Sequence, residues 1–181
     1  MNVLSRAAPS SHVAQGEFKI AAGADAMLTT ILGSCVAACL WDHTTGIGGM
    51  NHIVLPDAPD NDLRRASAGA NAMELLINGI IRAGGERDRL QAKLFGGASM
   101  IAGLGNVGAR NSAFAREFLV REGISCVSES LGGRAGRRVQ FWPATGRARQ
   151  KLMSADVLPD EELRPVSILP GPAVGNDIEL F

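Results

Sequence analysis

Two short apolar runs on either side of a polar turn constrain the fold most strongly. Residues 35–41 (CVAACLW) and 46–55 (GIGGMNHIVL) are each long enough for one strand, and Asp42–Thr45 between them fits a four-residue hairpin loop. A helix from Ser34 to residue 41 is the competing interpretation. Apolar side chains alternate at positions 36, 38 and 40, which favours the hairpin.

The predicted hairpin brings a thiol and an imidazole together. If Trp41 pairs with Gly46, Cys35 lies directly opposite His52. Opposed side chains point to the same face of a sheet, with Cβ atoms about 4.5–5.5 Å apart. That separation suits proton transfer from a thiol to an imidazole ring. Cys35 and His52 are therefore a candidate catalytic pair.

The other cysteines and histidines have simpler interpretations. A cysteine in an apolar run is often a small buried hydrophobic residue, which we expect for Cys39 and Cys126 and which stays the alternative for Cys35. The spacing of these residues lacks the C-x-x-C pattern typical of zinc sites. His12 falls in the leading segment and His43 in a turn, so both are expected to be solvated.

The rest of the chain groups its strands into runs separated by two helices. The pattern predicts four strands before residue 56, a helix at 71–85, a strand at 91–95 and a helix at 111–123. Three further strands follow, in the segments ISCVSES, RRVQFW and RARQKL. Strands in runs, rather than in strict alternation with helices, predict an α+β fold.

The composition along the chain predicts one folded domain between two extended ends. Residues 1–15 contain Ser, Ala and Pro and are expected to form a disordered leader. Residues 16–153 form the predicted domain. Residues 154–181, which are acidic and contain Pro, are expected to form an extended arm.

Charge and cysteine content argue against several protein classes. The 18 basic and 18 acidic residues cancel, so no net field attracts the chain to nucleic acid or to an anionic membrane. No apolar run approaches the roughly 18 residues of a membrane span, and the first residues lack the apolar part of a signal peptide. Three cysteines do not resemble a secreted disulfide framework, so we expect a cytoplasmic location.

The segment GLGNVG at residues 103–108 matches the G-x-G-x-x-G pattern of dinucleotide sites. In that motif the first glycine closes the preceding strand. Here residues 96–102 separate the predicted strand from the first glycine. The context therefore argues against a dinucleotide site, and a flexible loop is the simpler interpretation.

Several motifs, in order, resemble those of the CheD chemoreceptor glutamine deamidases. The densest similarity lies in LGSCVAACLWD followed by GGMNHIVLP. AMELLIN, AKLFGGASM, GARN and SESLGGRAGRRVQFWPATGR follow, so the resemblance extends from about residue 18 to residue 151. One departure is that many members carry Tyr where this chain has Ala68 and Asn71.

The resemblance implies a fold, an activity and partners. The fold would be a β-sandwich-like mixed sheet core flanked by two main helices, related to the deamidase domains of the cytotoxic necrotising factors. The activity would convert Gln side chains to Glu on the cytoplasmic helices of methyl-accepting chemotaxis receptors, without a metal or an organic cofactor. Some relatives bind the phosphatase CheC, so a CheC-like protein is a candidate second partner.

The resemblance also implies the site residues. The family's nucleophile falls on Cys35, its histidine on His52 and its third member on Thr29, which is adjacent to Thr30. Thr29 would orient the imidazole through a hydrogen bond. Because the substrate glutamine is held on a helix, we expect a shallow and open site.

Two other activities stay open at this point. The chain could be a non-enzymatic adaptor in which Cys35 only packs, or a hydrolase of receptor methyl esters, because a thiolate can attack either acyl group. The Arg-rich segment 134–149 is typical of a solvated hairpin, with docking to an acidic receptor surface as the alternative.

Overall fold

The computed structural model describes residues 10–56, 59, 62–100, 105–154 and 158. Within these ranges the strands are β1 (Ser10–His12), β2 (Phe18–Ala21), β3 (Met27–Leu32), β4 (Val36–Asp42), β5 (Gly48–Asn51), β6 (Leu90–Gly96), β7 (Ser125–Leu131), β8 (Gly136–Trp142) and β9 (Arg147–Met153). The helices are α1 (Leu63–Arg82) and α2 (Val107–Arg121), with a short 3-10 turn at Arg87–Arg89. The predicted order of elements is confirmed, apart from the additional strand β1.

The strands form two sheets that pack face to face. One sheet has the order β1-β3-β8-β9 and the other has the order β2-β5-β4-β6-β7. The pairs β1–β3 and β6–β7 are parallel, and the other neighbouring strands are antiparallel. A cluster that includes Leu28, Trp41 and Phe141 fills the space between the sheets. The α+β class is confirmed, whereas the relation to the cytotoxic necrotising factor domains stays a prediction.

Strand β4 lies at the centre of the five-stranded sheet and is buried along its whole length. Ala37 and Cys39 pack into the cluster between the sheets. Ala38 and Leu40 pack into a second cluster, which the two helices cover. A strand that is covered on both faces requires a nearly continuous apolar sequence. The helix that competed with this strand in the sequence analysis is therefore excluded.

Helices α1 and α2 cover the outer face of the five-stranded sheet. The predicted apolar face of α1 is confirmed, because Met73, Leu76, Ile77 and Ile80 are fully buried. Helix α1 begins earlier than predicted because the side chain of Asp62 caps it. Helix α2 also begins earlier, at Val107 rather than near residue 111.

The hairpin of β4 and β5 forms with a register that differs from the prediction. Trp41 pairs with Gly48 rather than with Gly46. The same register continues to the bridge between Val36 and Ile53, so position 54, not position 52, is opposite Cys35. A shift of two residues leaves each side chain on its predicted face.

The side chain of Asp42 explains this register. Its carboxylate accepts hydrogen bonds from the N–H groups of Thr44 (2.8 Å) and Thr45 (3.3 Å). The N–H group of Asp42 donates to the carbonyl of Ile47 across 2.8 Å. The loop therefore occupies residues 43–46 and ends at Gly46, whose φ of 69° is accessible to glycine at little cost.

The predicted disordered leader is wrong for its last residues. Strand β1 pairs in parallel with the first half of β3, and His12 is the partner of Thr29. Val13 is fully buried in the cluster between the sheets. A strand of only three residues, with the polar sequence SSH, has no apolar pattern that would reveal it.

Two further predictions concern the C-terminal part of the chain. Apart from residues 154 and 158, the predicted arm at 154–181 lies outside the described residues. The Arg-rich hairpin of β8 and β9 forms, but Arg137 is buried and donates to Ser130 and to the carbonyl of Gly132. Arg137 therefore stabilises the turn after β7 and is not a solvated docking residue.

We expect Asp42 to contribute stability that depends on pH. Its buried carboxylate forms an ion pair with Arg89 (2.8 Å), and this guanidinium holds the pKa of Asp42 well below its usual range. Stability from such a group is complete above the ordinary Asp pKa of about 3.9 and is lost as the pH falls through the lower folded-state pKa. Asp42→Asn should therefore lower the free energy of unfolding by about 2–3 kcal/mol at neutral pH.

Urea unfolding of wild-type protein and of Asp42→Asn, at neutral pH and in acid, measures this contribution. The difference between the two proteins should shrink in acid, because Asp42 of the wild-type protein gains a proton first in the unfolded chain, which stabilises the unfolded state. Asp25→Asn, at an exposed position, is the matched control. A difference that is equal at both pH values would contradict the role of the Asp42 charge.

Candidate active site

Cys35 and His52 lie on the same side of the five-stranded sheet. Cys35 directly precedes β4, and His52 directly follows β5. The bridge between Val36 and Ile53 holds these two ends together, with a hydrogen bond of 2.7 Å from the Ile53 N–H to the Val36 carbonyl. In this register Cys35 and His52 are diagonal neighbours, a separation that a ring side chain can span.

The site is less open than we expect from the sequence. The exposed fraction is 4 % for Cys35 and 3 % for His52. Both side chains are buried because they point into the space between the two sheets, where Cys35 packs into the apolar cluster. The expected shallow and open site is therefore wrong for these two side chains.

Thr30, and not Thr29, contacts the imidazole. The Oγ1 atom of Thr30 lies 2.9 Å from Nδ1 of His52. The hydroxyl of Thr29 instead donates to the carbonyl of Val139 across 2.9 Å. Successive side chains of a strand point to opposite faces, so only one of two adjacent threonines can reach His52. The orienting role predicted for Thr29 is therefore wrong, and Thr30 has the contact.

The hydrogen bonds of Thr30 determine which ring nitrogen of His52 carries the proton. The Thr30 hydroxyl donates its one hydrogen to the carbonyl of Val13, across 2.7 Å. Its oxygen must then accept a hydrogen from Nδ1 of His52 for both contacts to be hydrogen bonds. In the neutral ring, Nε2 is therefore the nitrogen with the lone pair and can act as a base.

A further side chain at this site is Gln15, whose contact with the thiol no sequence pattern indicated. Its Nε2 atom donates a hydrogen bond to Sγ of Cys35 across 3.4 Å. Gln15 precedes Gly16, whose φ is 78°. The Gln-Gly pair was a signal for a turn, but no local pattern indicates that this turn contacts a residue 20 positions later.

The backbone turns a corner at residues 33–35, just before β4, and hydrogen bonds to the carbonyl groups of these residues hold this corner in place. The N–H of Gly97 donates to the carbonyl of Cys35 (2.8 Å), and the N–H of Ala98 donates to the carbonyl of Gly33 (2.9 Å). A Cβ atom on Gly96 would collide with the Cys35 carbonyl, so this approach requires glycine. The AKLFGGASM motif therefore shapes the backbone at the thiol.

Asn111 holds the third carbonyl of the corner. The sequence predicts that this helix starts at Asn111, but Asn111 lies inside α2 and is buried. Its Nδ2 atom donates to the carbonyl of Ser34 (3.0 Å), and its Oδ1 atom accepts from Arg65 (3.3 Å). Both helices therefore contribute to the position of the thiol.

The other two thiols differ from Cys35 in their surroundings. Cys39 is fully buried as predicted, and this burial raises the pKa of its thiol far above the ordinary value. Cys126 is exposed on β7, so its predicted burial is wrong. Partial desolvation nevertheless raises the pKa of the Cys126 thiol. Neither thiol has a contact with His52 among the interactions described above.

His12 and His43 are both exposed, as predicted. In the described ranges, no three residues of the types His, Cys, Asp and Glu are grouped as ligands of a metal ion. Residues 103 and 104 of the dinucleotide-like motif lie outside the described part of the chain. Among the helices that the structure describes, none is long and apolar enough to cross a membrane.

Comparison with known proteins identifies the family of this chain. A family model described as CheD chemotactic sensory transduction matches residues 54–152. The "Probable chemoreceptor glutamine deamidase CheD" of Caulobacter sp. (strain K31) is 53% identical over an alignment of 174 positions, and the alignment covers 94% of this chain and 92% of the relative. This chain belongs to the CheD family.

A second CheD relative extends the similarity over the candidate site. The protein of the same name from Agrobacterium fabrum (strain C58 / ATCC 33970) is 48% identical over an alignment of 186 positions, and the alignment covers 99% of this chain and 100% of the relative. Coverage this complete includes the segment with Cys35 and His52.

Among solved structures, Bacillus licheniformis hypothetical protein YfiH is 13% identical to this chain, with a TM-score of 0.41. The match covers 70% of this chain and 60% of that one. This similarity is too weak to establish a shared fold.

We expect Thr30→Val to change the tautomer of His52 in this CheD family member. Without the Thr30 oxygen, Nδ1–H loses its acceptor, and the population of the Nδ1–H form should fall. Long-range 1H–15N spectra of the neutral ring report both nitrogens. Thr29→Val is the matched control, and a tautomer change in that variant alone would contradict the assignment of Thr30.

Proposed function

We propose that this protein is a glutamine deamidase that converts Gln side chains of chemoreceptors to Glu. The names of the Caulobacter and Agrobacterium relatives support the substrate class. The observation that carries the proposal is the placement of Cys35 and His52 on one face, with Thr30 bound to Nδ1 of the ring. A base at Nε2 and a nearby thiol are the parts that a thioester mechanism needs.

The proposed reaction begins with proton transfer. Nε2 of His52 accepts the proton of the Cys35 thiol, and the thiolate attacks the carboxamide carbon of the receptor glutamine. A bond forms between sulfur and carbon, and the electron pair of the carbonyl bond moves to oxygen. Nδ1–H stays bonded to Thr30, which keeps the ring in the same orientation during the transfer.

Main-chain N–H groups of the corner are proposed to stabilise the oxyanion. The carbonyls of Gly33 and Ser34 are bonded to Ala98 and Asn111, respectively. Because the described peptide bonds are trans, the N–H groups of Ser34 and Cys35 point away from those partners. They are therefore directed toward the opposite side of the corner, where they can donate to an oxyanion.

Two further steps release the products. The imidazolium gives its proton to the nitrogen of the amide as the carbon–nitrogen bond breaks, and ammonia leaves a thioester on Cys35. His52 then removes a proton from a water molecule, which attacks the thioester carbon. The carbon–sulfur bond then breaks, the imidazolium returns its proton to the sulfur, and a glutamate side chain and the Cys35 thiol result. None of these proposed steps uses a metal ion or an organic cofactor.

The proposed partners are the cytoplasmic helices of methyl-accepting chemotaxis receptors, which places the reaction in the cytoplasm. The chain has equal numbers of basic and acidic residues, so a recognition surface must be local. Nucleic acid and direct membrane insertion are not part of the proposal. A CheC-like phosphatase as a second partner stays a prediction.

One observation favours a non-enzymatic adaptor as the second candidate. Cys35 is almost completely buried, as a cysteine that only packs would be. A deamidase must admit a carboxamide to this sulfur, so the covering side chains have to move when a receptor binds. An adaptor needs no such movement, and replacement of Cys35 by Ala would leave its function intact.

Replacement of the nucleophile provides the main test of the activity. Cys35→Ala should reduce deamidation of receptor cytoplasmic fragments by more than about 10³-fold, because no other group replaces the thiolate. Peptide mass mapping of the receptor detects the replacement of an NH2 group by OH. Cys126→Ala is the matched control, since it removes an exposed thiol on β7 and should retain most of the activity.

Three results would contradict the proposal. Full deamidation by Cys35→Ala would exclude this nucleophile. Loss of activity in Cys126→Ala would point to the other thiol. A receptor product that has lost a methyl ester, with its glutamines unchanged, would replace deamidation by ester hydrolysis.

A further inference from the structure

The amide of Gln15 contacts the proposed nucleophile, and the reaction described above does not use it. Its Nε2 atom donates to Sγ of Cys35 across 3.4 Å, and its side chain is half-buried. A primary amide has two fixed N–H donors and does not titrate in the physiological range. Gln15 can therefore donate to the sulfur in each protonation state of His52.

The turn that contains Gln15 has a defined geometry. The N–H of Glu17 donates to the carbonyl of Ala14 (3.0 Å), and Gly16 between them has a φ of 78°. This combination is typical of a type II turn with Gln15 in the second position. The Glu17 carboxylate also accepts from the N–H of Ala14 (3.1 Å), which stabilises the turn from its outer side.

The same turn is bonded to the main chain of His52. The N–H of Gly16 donates to the carbonyl of His52 (3.0 Å), and the N–H of His52 donates to the carbonyl of Glu17 (2.9 Å). Just before the turn, the carbonyl of Val13 accepts from Thr30, which holds the ring. The backbone of Gln15 and the imidazole are therefore positioned by one network.

We infer that Gln15 is a catalytic donor that stabilises the Cys35 thiolate and then the oxyanion of the substrate; this inference rests on the proposed deamidase function. When the thiolate attacks the carboxamide carbon of the substrate, negative charge leaves the sulfur and appears on the carbonyl oxygen of that carboxamide. A donor at the sulfur lies close to that oxygen, so an N–H group of Gln15 can donate a hydrogen bond to the oxyanion without transferring its proton. Fixed donors of this kind need no reorganisation during the reaction.

The geometry distinguishes this role from that of a substrate. A glutamine that was itself a substrate would need its carbonyl carbon in front of the sulfur. A glutamine that only blocked the site could make the same hydrogen bond to the sulfur, and the rates of alkylation and deamidation below separate that role from a donor. In this structure the amide nitrogen of Gln15 makes the contact, which is the orientation of a donor.

The reactivity of Cys35 tests the inference without a receptor. We would measure the rate of alkylation of Cys35 by iodoacetamide against pH in a Cys126→Ser background, which removes the exposed thiol. In Gln15→Glu an acceptor replaces the donor, so the pKa of the Cys35 thiol should rise and alkylation at neutral pH should slow by about tenfold or more. Gln15→Ala should slow it less, and Gln150→Glu at an exposed position of β9 should not change it.

The deamidation kinetics provide the second measurement. Gln15→Ala should lower kcat by about 10²-fold, as removal of an oxyanion donor does, with little change in KM. Faster alkylation or a higher kcat/KM in Gln15→Ala would overturn the inference, because Gln15 would then only block the site. Unchanged alkylation and kinetics would also overturn it.

A third measurement separates the donor from a substrate. Peptide mapping should find Gln at position 15 in the purified wild-type protein. Glu at this position in wild type, with Gln retained in Cys35→Ala, would show that the thiol modifies Gln15 and would overturn the inference. Receptor deamidation by Cys35→Ala would instead contradict the proposed function, whereas the alkylation result for Gln15 would stand on its own.

Discussion

The short backbone pairing between Val36 and Ile53 connects the site to the fold. It extends the contact of β4 and β5 beyond the last regular pair, so the residue before one strand and the residue after the other lie on one face. Strand β4 is buried on both sides and cannot shift without exposing apolar side chains to water. The relative position of Cys35 and His52 is therefore stabilised by the same burial that stabilises the core.

Around this pairing, each neighbouring element contributes one contact to the proposed active site. The second sheet supplies Thr30, which orients His52 and selects the ring nitrogen that can accept a proton. Helix α2 supplies Asn111, which holds the corner before β4. The turn before β2 supplies Gln15 at the sulfur. The site thus combines residues from both sheets and a helix, which explains why its side chains are nearly buried.

The sequence predicted what depends on apolar patterning and missed what depends on polar contacts. The strands from β2 onward and the buried face of α1 follow from alternation and helical spacing, which depend on the residues themselves. The hairpin register does not follow from alternation, because the hydrogen bonds of the Asp42 carboxylate place the loop one position later than predicted. Thr29 and Thr30 are equivalent in sequence, and only the direction of β3 relative to His52 separates them. The contact of Gln15 with the thiol could not be predicted, because the strand β1 that positions the preceding chain is too short and too polar to recognise in the sequence.

The most direct test of the account is detection of the covalent intermediate. A mixture of this protein with receptor cytoplasmic fragments would be quenched in acid within the first turnover and digested for mass spectrometry. The account predicts a receptor peptide joined through its glutamine side chain to Cys35 by a thioester that hydroxylamine cleaves. Conversion of the receptor glutamine with no adduct on Cys35, or with the adduct on Cys126, would contradict it.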